Sequence, residues 1–245
     1  MLQKLIDRFL PESGVLQHLL LPILCISLFA ALLSAWMKRK GIRTPYTKKT
    51  FHFVIFSLAG ILQYHYGLQA VSLLGGIVFI MVVIAVIVGK RWWFFKALAR
   101  DTDAPHEKKF IILPLLSTAA GGIISNIFFP GTAYIGYFVG GWGDAIGEPV
   151  GTKWGKHKYT VPTLFGVRAT RSIEGSTAVM LLSTIIATIC LTQITGFGIL
   201  TCLLYGFICG LAAAVVEAIS SHGLDNLTIQ VCAAGVLNYF ISAHS

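Results

Sequence analysis

Residues 70–89 read AVSLLGGIVFIMVVIAVIVG, twenty consecutive positions without a charged side chain. As a helix, about 20 residues rise about 30 Å, the thickness of the hydrocarbon core of a bilayer. The run stops at Lys90-Arg91-Trp92-Trp93-Phe94-Phe95-Lys96, where basic and aromatic side chains alternate as they do at a membrane–water boundary. An apolar run of spanning length against such a boundary predicts a transmembrane helix followed by an interfacial segment. We read that segment as a plain anchor.

Seven further segments fit the same description: 15–37, 51–67, 110–129, 132–149, 175–193, 197–217 and 228–243. Those at 51–67, 132–149 and 228–243 are shorter or more polar than the rest. The expectation is an all-α, polytopic transmembrane bundle of about eight spans, with seven as the alternative. It forms a single integral-membrane domain over 1–245. Composition agrees. Mean hydropathy is +0.77, and charged residues make up 12%, about half the share of a soluble domain. Such a chain cannot cover itself with a normal solvated surface, so lipid must cover much of it. Asp7 and Arg8 among Ile6, Phe9 and Leu10 read as a short interfacial amphipathic helix, not a secretory signal. Pro114 and Gly121-Gly122 suggest a kink and a close-packing seam. The cysteines Cys25, Cys190, Cys202, Cys209 and Cys232 lie in apolar runs without a CxxC pair, so they read as small buried apolar side chains and not as metal ligands or a disulfide framework.

Charge orients the spans. Lys38, Arg39, Lys40, Arg43, Lys48 and Lys49 cluster after the first; Lys90, Arg91, Lys96, Arg100, Lys108 and Lys109 after the third; Lys153, Lys156, Lys158, Arg168 and Arg171 after the fifth. The connections near 67–70, 130–132 and 194–196 carry no charge. By the positive-inside rule the basic loops are cytoplasmic, and eight spans put both termini outside. The net charge of +9 is then orientation and attraction to anionic lipid, and no stacking motif or basic stripe argues for nucleic acid.

Acidic residues in or beside spans are costly and are candidates for function. Asp7, Glu12, Asp101, Asp103 and Glu107 stand in polar surroundings and read as solvated. Asp144, Glu148, Glu174, Glu217 and Asp225 all fall at the basic ends of spans or in basic loops. Five carboxylates on one face beside Lys and Arg point to Mg²⁺ and a polyphosphate, because Mg²⁺ takes one or two carboxylates plus phosphate oxygens. Asp144 and Glu148, four apart, share a helix face within Gly143-Asp144-Ala145-Ile146-Gly147-Glu148-Pro149-Val150-Gly151. Helix packing explains the glycines but not the acids. The lysines that follow lack P-loop spacing, since His157 stands where Ser or Thr is needed. Ser172 with Glu174 also fits a helix cap, and Asp225-Asn226 a turn. Among the histidines His52, after Lys48-Lys49, is the most notable. His18 says little, and His65, His106, His157, His222 and His244 read as solvated or interfacial. Zinc spacings and a GxSxG elbow are absent.

In this order the clusters resemble the CTP-dependent lipid kinase family, which contains dolichol kinase, phytol and farnesol kinase and CTP-dependent diacylglycerol kinase. The resemblance rests on Gly143-Asp144-Ala145 with Gly151 and Lys153-Trp154-Gly155-Lys156-His157-Lys158; on Arg171-Ser172-Ile173-Glu174-Gly175-Ser176; on Glu217 with Asp225-Asn226-Leu227-Thr228; and more weakly on Lys48-Lys49-Thr50-Phe51-His52. Its strong part covers 140–230, inside a motif-bearing half at 132–230. Glu148-Pro149, Arg171, Leu224 and Gln230 depart from the family pattern, so the acceptor does not follow from it.

The resemblance implies CTP as donor, Mg²⁺ as cofactor, and an isoprenoid alcohol or diacylglycerol as acceptor, at the cytoplasmic face of a plasma membrane or endoplasmic-reticulum-type membrane. A homo-oligomer is compatible with it. Asp144, Glu148, Glu174 and Asp225 become the expected catalytic carboxylates. These four with Glu217 are the expected metal ligands. Lys48, Lys49, His52, Gly143, Gly151, Lys153, Lys156, Lys158, Arg168, Arg171, Ser172 and Asn226 are the expected nucleotide and phosphate contacts. Phosphatidate cytidylyltransferases share part of the pattern and form the second reading. An ion-coupled transporter is a third, weakened by the absence of a visible repeat.

Overall fold

The computed structural model describes residues 2–164 and 169–244. All eight apolar segments are helices. They are α2 (Ser13–Arg39), α3 (Thr44–Tyr66), α4 (Leu68–Val88), α6 (Glu107–Phe128), α7 (Ala133–Trp154), α8 (Ile173–Ile194), α9 (Ile199–Ile219) and α10 (Asp225–Ser242). Two short α-helices, α1 (Leu2–Phe9) and α5 (Trp93–Leu98), accompany them.

Among the described residues, five segments are long and apolar enough to cross a membrane: Ile6–Arg39, Leu68–Arg91, Glu107–Phe128, Ile173–Ile194 and Ile199–Ile219. This marks an integral membrane protein, with five candidate spans where the sequence reading expected eight. Helices α3, α7 and α10 fall short of that apolarity because they carry the polar residues: Lys48, Lys49 and His52; Asp144 and Glu148; Asp225, Asn226 and Gln230. These three pack together, α7 lying against both α3 and α10, so their polar side chains face protein. The periphery is the opposite. Leu21, Leu32, Ile87, Leu200 and Ile219 are each at least 68% exposed, a surface suited to lipid and not to water.

Small residues let these helices approach. A Cβ on Gly143 would meet Ser183 Oγ at 2.8 Å, and one on Gly147 would meet Val179 Cγ2 at 2.7 Å, both on α8. Gly141 is closed in the same way by the Phe56 ring of α3. The seam expected at Gly121-Gly122 exists, against Leu227 and Tyr137.

Three features depart from the expectations. First, a two-stranded antiparallel hairpin joins α7 to α8, with β1 (Lys158–Val161) and β2 (Ala169–Ser172) setting Lys158 opposite Ser172 and Tyr159 opposite Arg171. Aromatic and β-branched Tyr159, Thr160, Val161 and Thr170 favour the extended form. Second, α5 is more than a surface anchor. Phe94 and Phe95 are buried, Phe94 meets Phe51 edge-on at 5.0 Å, and Ala97 C=O accepts a 2.7 Å hydrogen bond from Thr47 Oγ1. Only its rim keeps the interfacial character, with Lys96 Nζ 4.3 Å above the Trp93 ring. Third, Cys25 is exposed on the apolar periphery, while Cys202 and Cys209 are buried as expected.

The two ends of the bundle differ. Gln69 bonds Glu12 through both its amide atoms, and Tyr205 OH meets His244 Nε2 at 3.1 Å. These contacts gather residues 12, 69, 205 and 244 near the uncharged connections. The basic loops gather at the other end.

Candidate active site

At the basic end the loops enclose a cavity of about 790 Å³, open to the outside. Its walls come from segments far apart in sequence. Lys49 is from α3, Arg100 and Asp103 from the α5–α6 connection, Asp144 and Glu148 from α7, Lys158 and Arg171 from the hairpin, and Glu217, His222 and Asp225 from the α9–α10 turn.

The first cluster forms where α3 crosses α7. Pro45 in the first turn of α3 suits a helix start, where a missing N–H costs nothing. Lys49 and His52, three apart, share the face turned to α7. Lys49 Nζ lies 2.5 Å from Asp144 Oδ2 and 3.5 Å from Glu148 Oε2. Both Lys49 and Asp144 are only 7% exposed. Charges this deep persist only when paired, and removing one partner costs about 3–5 kcal/mol.

Sequence reasoning missed the next three members. Arg100 Nη2 lies 2.5 Å from Glu148 Oε2, and its Nη1 lies 2.9 Å from His222 Nε2. His222 Nε2 in turn stands 3.7 Å from Asp103 Oδ1. Asp103 is therefore buried, at 3% exposure, and not solvated. Burial pushes its carboxyl upward, but the His222 ring and the Arg100 guanidinium outweigh that and hold it below the usual carboxylate range. No local signal in a loop reading Arg-Asp-Thr-Asp separates a buried acid from a solvated one. The available hint was its distance of a few residues from Phe94-Phe95, which pin the loop to the core.

The second cluster is centred on Arg171. Its Nε lies 2.9 Å from Glu217 Oε1 and its Nη2 lies 2.8 Å from Asp225 Oδ2. One guanidinium thus clamps the end of α9 to the start of α10, using the fixed fork that Lys lacks. Ser176 Oγ donates to Glu217 Oε2 at 3.1 Å and lies 2.7 Å from Tyr159 OH. The hairpin's function in the fold is to deliver Arg171 and Lys158 to the cavity.

The other expected site residues are distributed as follows. Gly151, Lys158 and Ser172 line this cavity. Ser172 also caps α8, its Oγ accepting from Gly175 N–H at 3.1 Å, as the capping alternative required. Lys48, His52 and Asn226 line a smaller, apolar cavity beside it. Gly143 does not reach either cavity; it is used in the α7–α8 seam. Glu174, expected as catalytic and metal-binding, turns away. Its carboxylate lies 2.8 Å from His157 Nδ1 and accepts from His157 N–H at 3.3 Å, fastening the loop to the start of α8. Lys153 lies over the Trp154 ring at 4.5 Å, and Lys156 is exposed; neither lines the cavity. Arg168 lies outside the described residues.

Among the described residues no group of three or more His, Cys, Asp and Glu side chains closes on one point as a preformed metal cage. Mg²⁺ does not need one, since it accepts one or two carboxylates and fills its shell with phosphate oxygens and water. Asp144, Glu148, Glu217 and Asp225 supply hard oxygen donors to one cavity. That donor set fits Mg²⁺ brought in with a polyphosphate.

A phytol kinase of Synechocystis sp. (strain ATCC 27184 / PCC 6803 / Kazusa) is 35% identical to this chain over 114 residues, which is 46% of this chain and 46% of that relative. The match thus spans about half of the relative's length. It is consistent with the resemblance to the lipid kinases drawn from the motifs. No family model matches the chain, and no solved structure does.

Proposed function

We propose that this protein is a CTP-dependent kinase that phosphorylates a membrane lipid alcohol at the cytoplasmic face. The observation that carries the proposal is the cavity in which Asp103, Asp144, Glu148, Glu217 and Asp225 meet Lys49, Arg100, Lys158 and Arg171, drawn from five separate segments, at the basic end of an apolar helical bundle. The similarity to a phytol kinase supports the same reaction class. A transporter reading gains nothing from this arrangement, because midplane sites at broken helices are the usual design there.

In the proposed reaction the alcohol oxygen forms a bond to the γ-phosphorus of CTP. The bond from that phosphorus to the β–γ bridging oxygen breaks, and CDP leaves with the electron pair. The hydroxyl proton passes to Asp144, the carboxylate beside His52 in the wall of the apolar cavity. Because phosphoryl transfer runs through a loose transition state, positioning and charge compensation matter more than the strength of the base. Lys49, Arg100, Lys158 and Arg171 surround the phosphates and offset the charge on the equatorial oxygens. Mg²⁺, held by one or two of Asp144, Glu148, Glu217 and Asp225, supplies further charge neutralisation when bound. The existing ion pairs hold the site together and open as phosphate oxygens replace carboxylates around each base.

Arg100 tests the part of the site that no motif marked. Arg100→Gln removes a charge-assisted contact of about 1.5–3 kcal/mol, so the KM for CTP is expected to rise roughly tenfold to a hundredfold, with the KM for the alcohol little changed. Steady-state kinetics with each substrate varied in turn checks this.

For the function itself, the purified protein is assayed in mixed micelles with Mg²⁺, each of the four nucleoside triphosphates, and phytol, farnesol, a polyprenol or diacylglycerol. The expected result is a lipid monophosphate formed best with CTP and lost when EDTA is added. The reading is overturned if no nucleotide yields a phosphorylated alcohol.

A further inference from the structure

A second cavity, of about 90 Å³, opens between α3, α4 and α6. Its walls include Phe51, Ile55, Val78, Val82, Ile111 and Leu115, with Lys48, His52, Thr118 and Asn226 as the polar lining. Its existence follows from how α3 and α6 are held apart. Pro114 has no N–H to give to Phe110 C=O one turn back, and that carbonyl is taken instead by Lys48 Nζ at 3.4 Å. Asn226 Nδ2 braces the same turn from α10, 3.4 Å from Pro114 C=O and 2.9 Å from Thr118 Oγ1. Towards the opposite end, Gln63 Nε2 donates to Asn126 Oδ1 at 2.9 Å. Side chains thus link the two helices at two levels and leave an apolar gap between them.

One polar atom at this gap is unsatisfied. His52 Nε2 is buried and has no hydrogen-bond partner. It stands 3.4 Å from Asp144 Oδ2 without hydrogen-bond geometry, while the His52 ring stacks on Phe56 at 4.2 Å. His52 is therefore the shared wall between the apolar cavity and the carboxylate cluster. A buried nitrogen without a partner is costly, and a ligand hydroxyl is the group that would satisfy it. The ligand that fits is apolar along its length with one hydroxyl at its end.

The size narrows the class. A volume of about 90 Å³ is the liquid share of roughly three water molecules. It admits the first few carbons of one chain, with the remainder in the bilayer. A diacylglycerol hydroxyl brings a branched glycerol and two ester arms, more bulk than this volume holds.

We infer that this cavity receives the hydroxyl-bearing end of a single-chain lipid alcohol, that His52 hydrogen-bonds the hydroxyl beside Asp144, and that the pocket selects such alcohols over diacylglycerol. This inference rests on the kinase reading above and deepens it.

Two variants that fill the pocket, Val82→Phe and Leu115→Phe, are compared with wild type in micelles. The second changes a half-buried side chain, which spares the fold if the first is too tight. The KM for phytol or farnesol is expected to rise about tenfold or more, with the KM for CTP within about twofold of wild type. A farnesol analogue carrying a diazirine beside its hydroxyl is expected to crosslink to α3, α4 or α6, and Val82→Phe to reduce the yield. The inference is overturned if both variants keep the wild-type KM for the alcohol, if the crosslink maps elsewhere, or if wild type uses diacylglycerol as well as it uses phytol. Wild type that phosphorylates no alcohol defeats the kinase reading instead, and the crosslink then decides the pocket independently.

Discussion

Asp144→Asn is expected to lower kcat by about 10²–10³-fold, the usual cost of removing one preorganised charge from a phosphoryl or oxyanion site. The amide keeps the volume of the carboxylate and an oxygen within reach of Lys49, so packing against α3 is preserved. What disappears is the negative charge between Lys49 and His52, and with it a metal ligand and the proposed acceptor of the hydroxyl proton. Lys49 is not left alone, because Glu148 Oε2 stands 3.5 Å away. The variant should therefore fold, as judged by a monodisperse peak and a cooperative thermal transition in the same micelles. A folded variant with wild-type turnover would remove Asp144 from the mechanism.

The largest effect on stability is expected at Arg171. Its guanidinium joins Glu217 and Asp225 at 2.9 and 2.8 Å, and Glu217 is buried. Arg171→Gln leaves two carboxylates facing each other without a cation, at a cost of about 3–5 kcal/mol. Activity should fall with it, since α9, α10 and the hairpin lose their common tie. Arg171→Lys restores the charge but not the two-pronged geometry, so it should recover part of the stability and little of the turnover. Adding Glu217→Gln to Arg171→Gln relieves the repulsion and should raise the melting temperature without restoring activity. If Arg171→Gln melts with wild type, the clamp has no structural weight. If the double variant is active, Arg171 has no part in binding phosphate.

The helices were legible because length and apolarity alone specify them: each apolar segment of the sequence coincides with a helix, its ends overrunning by at most two residues. The segments that stood out as shorter or more polar, 51–67, 132–149 and 228–243, form α3, α7 and α10, and their place inside the bundle came only with the structure. The grouping of Asp144, Glu148, Glu217 and Asp225 was legible for one reason. A carboxylate beside an apolar run must find a partner, and the basic residues stood at one end of the bundle. Asp103, Arg100 and His222 were not legible, because burial of a loop is decided by what packs beneath it, here Phe94 and Phe95, and not by its own composition. Gly143 and Glu174 show the converse. A glycine in a ligand motif and a glycine in a helix seam have the same local sequence, and so do a metal carboxylate and one that fastens a helix start. Only the neighbours, Val179 and Ser183 for the one and His157 for the other, distinguish them. The hairpin was missed because strands of four residues carry too little alternation to stand out among helices.

The central claim is transfer of the terminal phosphoryl group of CTP to a lipid hydroxyl. The most direct test supplies wild-type protein with CTP labelled at either the α- or the γ-phosphorus, together with Mg²⁺, phytol and phosphatidate. The expected result is label in phytyl phosphate from the γ position alone, with CDP formed in equal amount. Label from the α position appearing in a cytidine-diphosphate lipid, with pyrophosphate released, would contradict the account and make this protein a cytidylyltransferase.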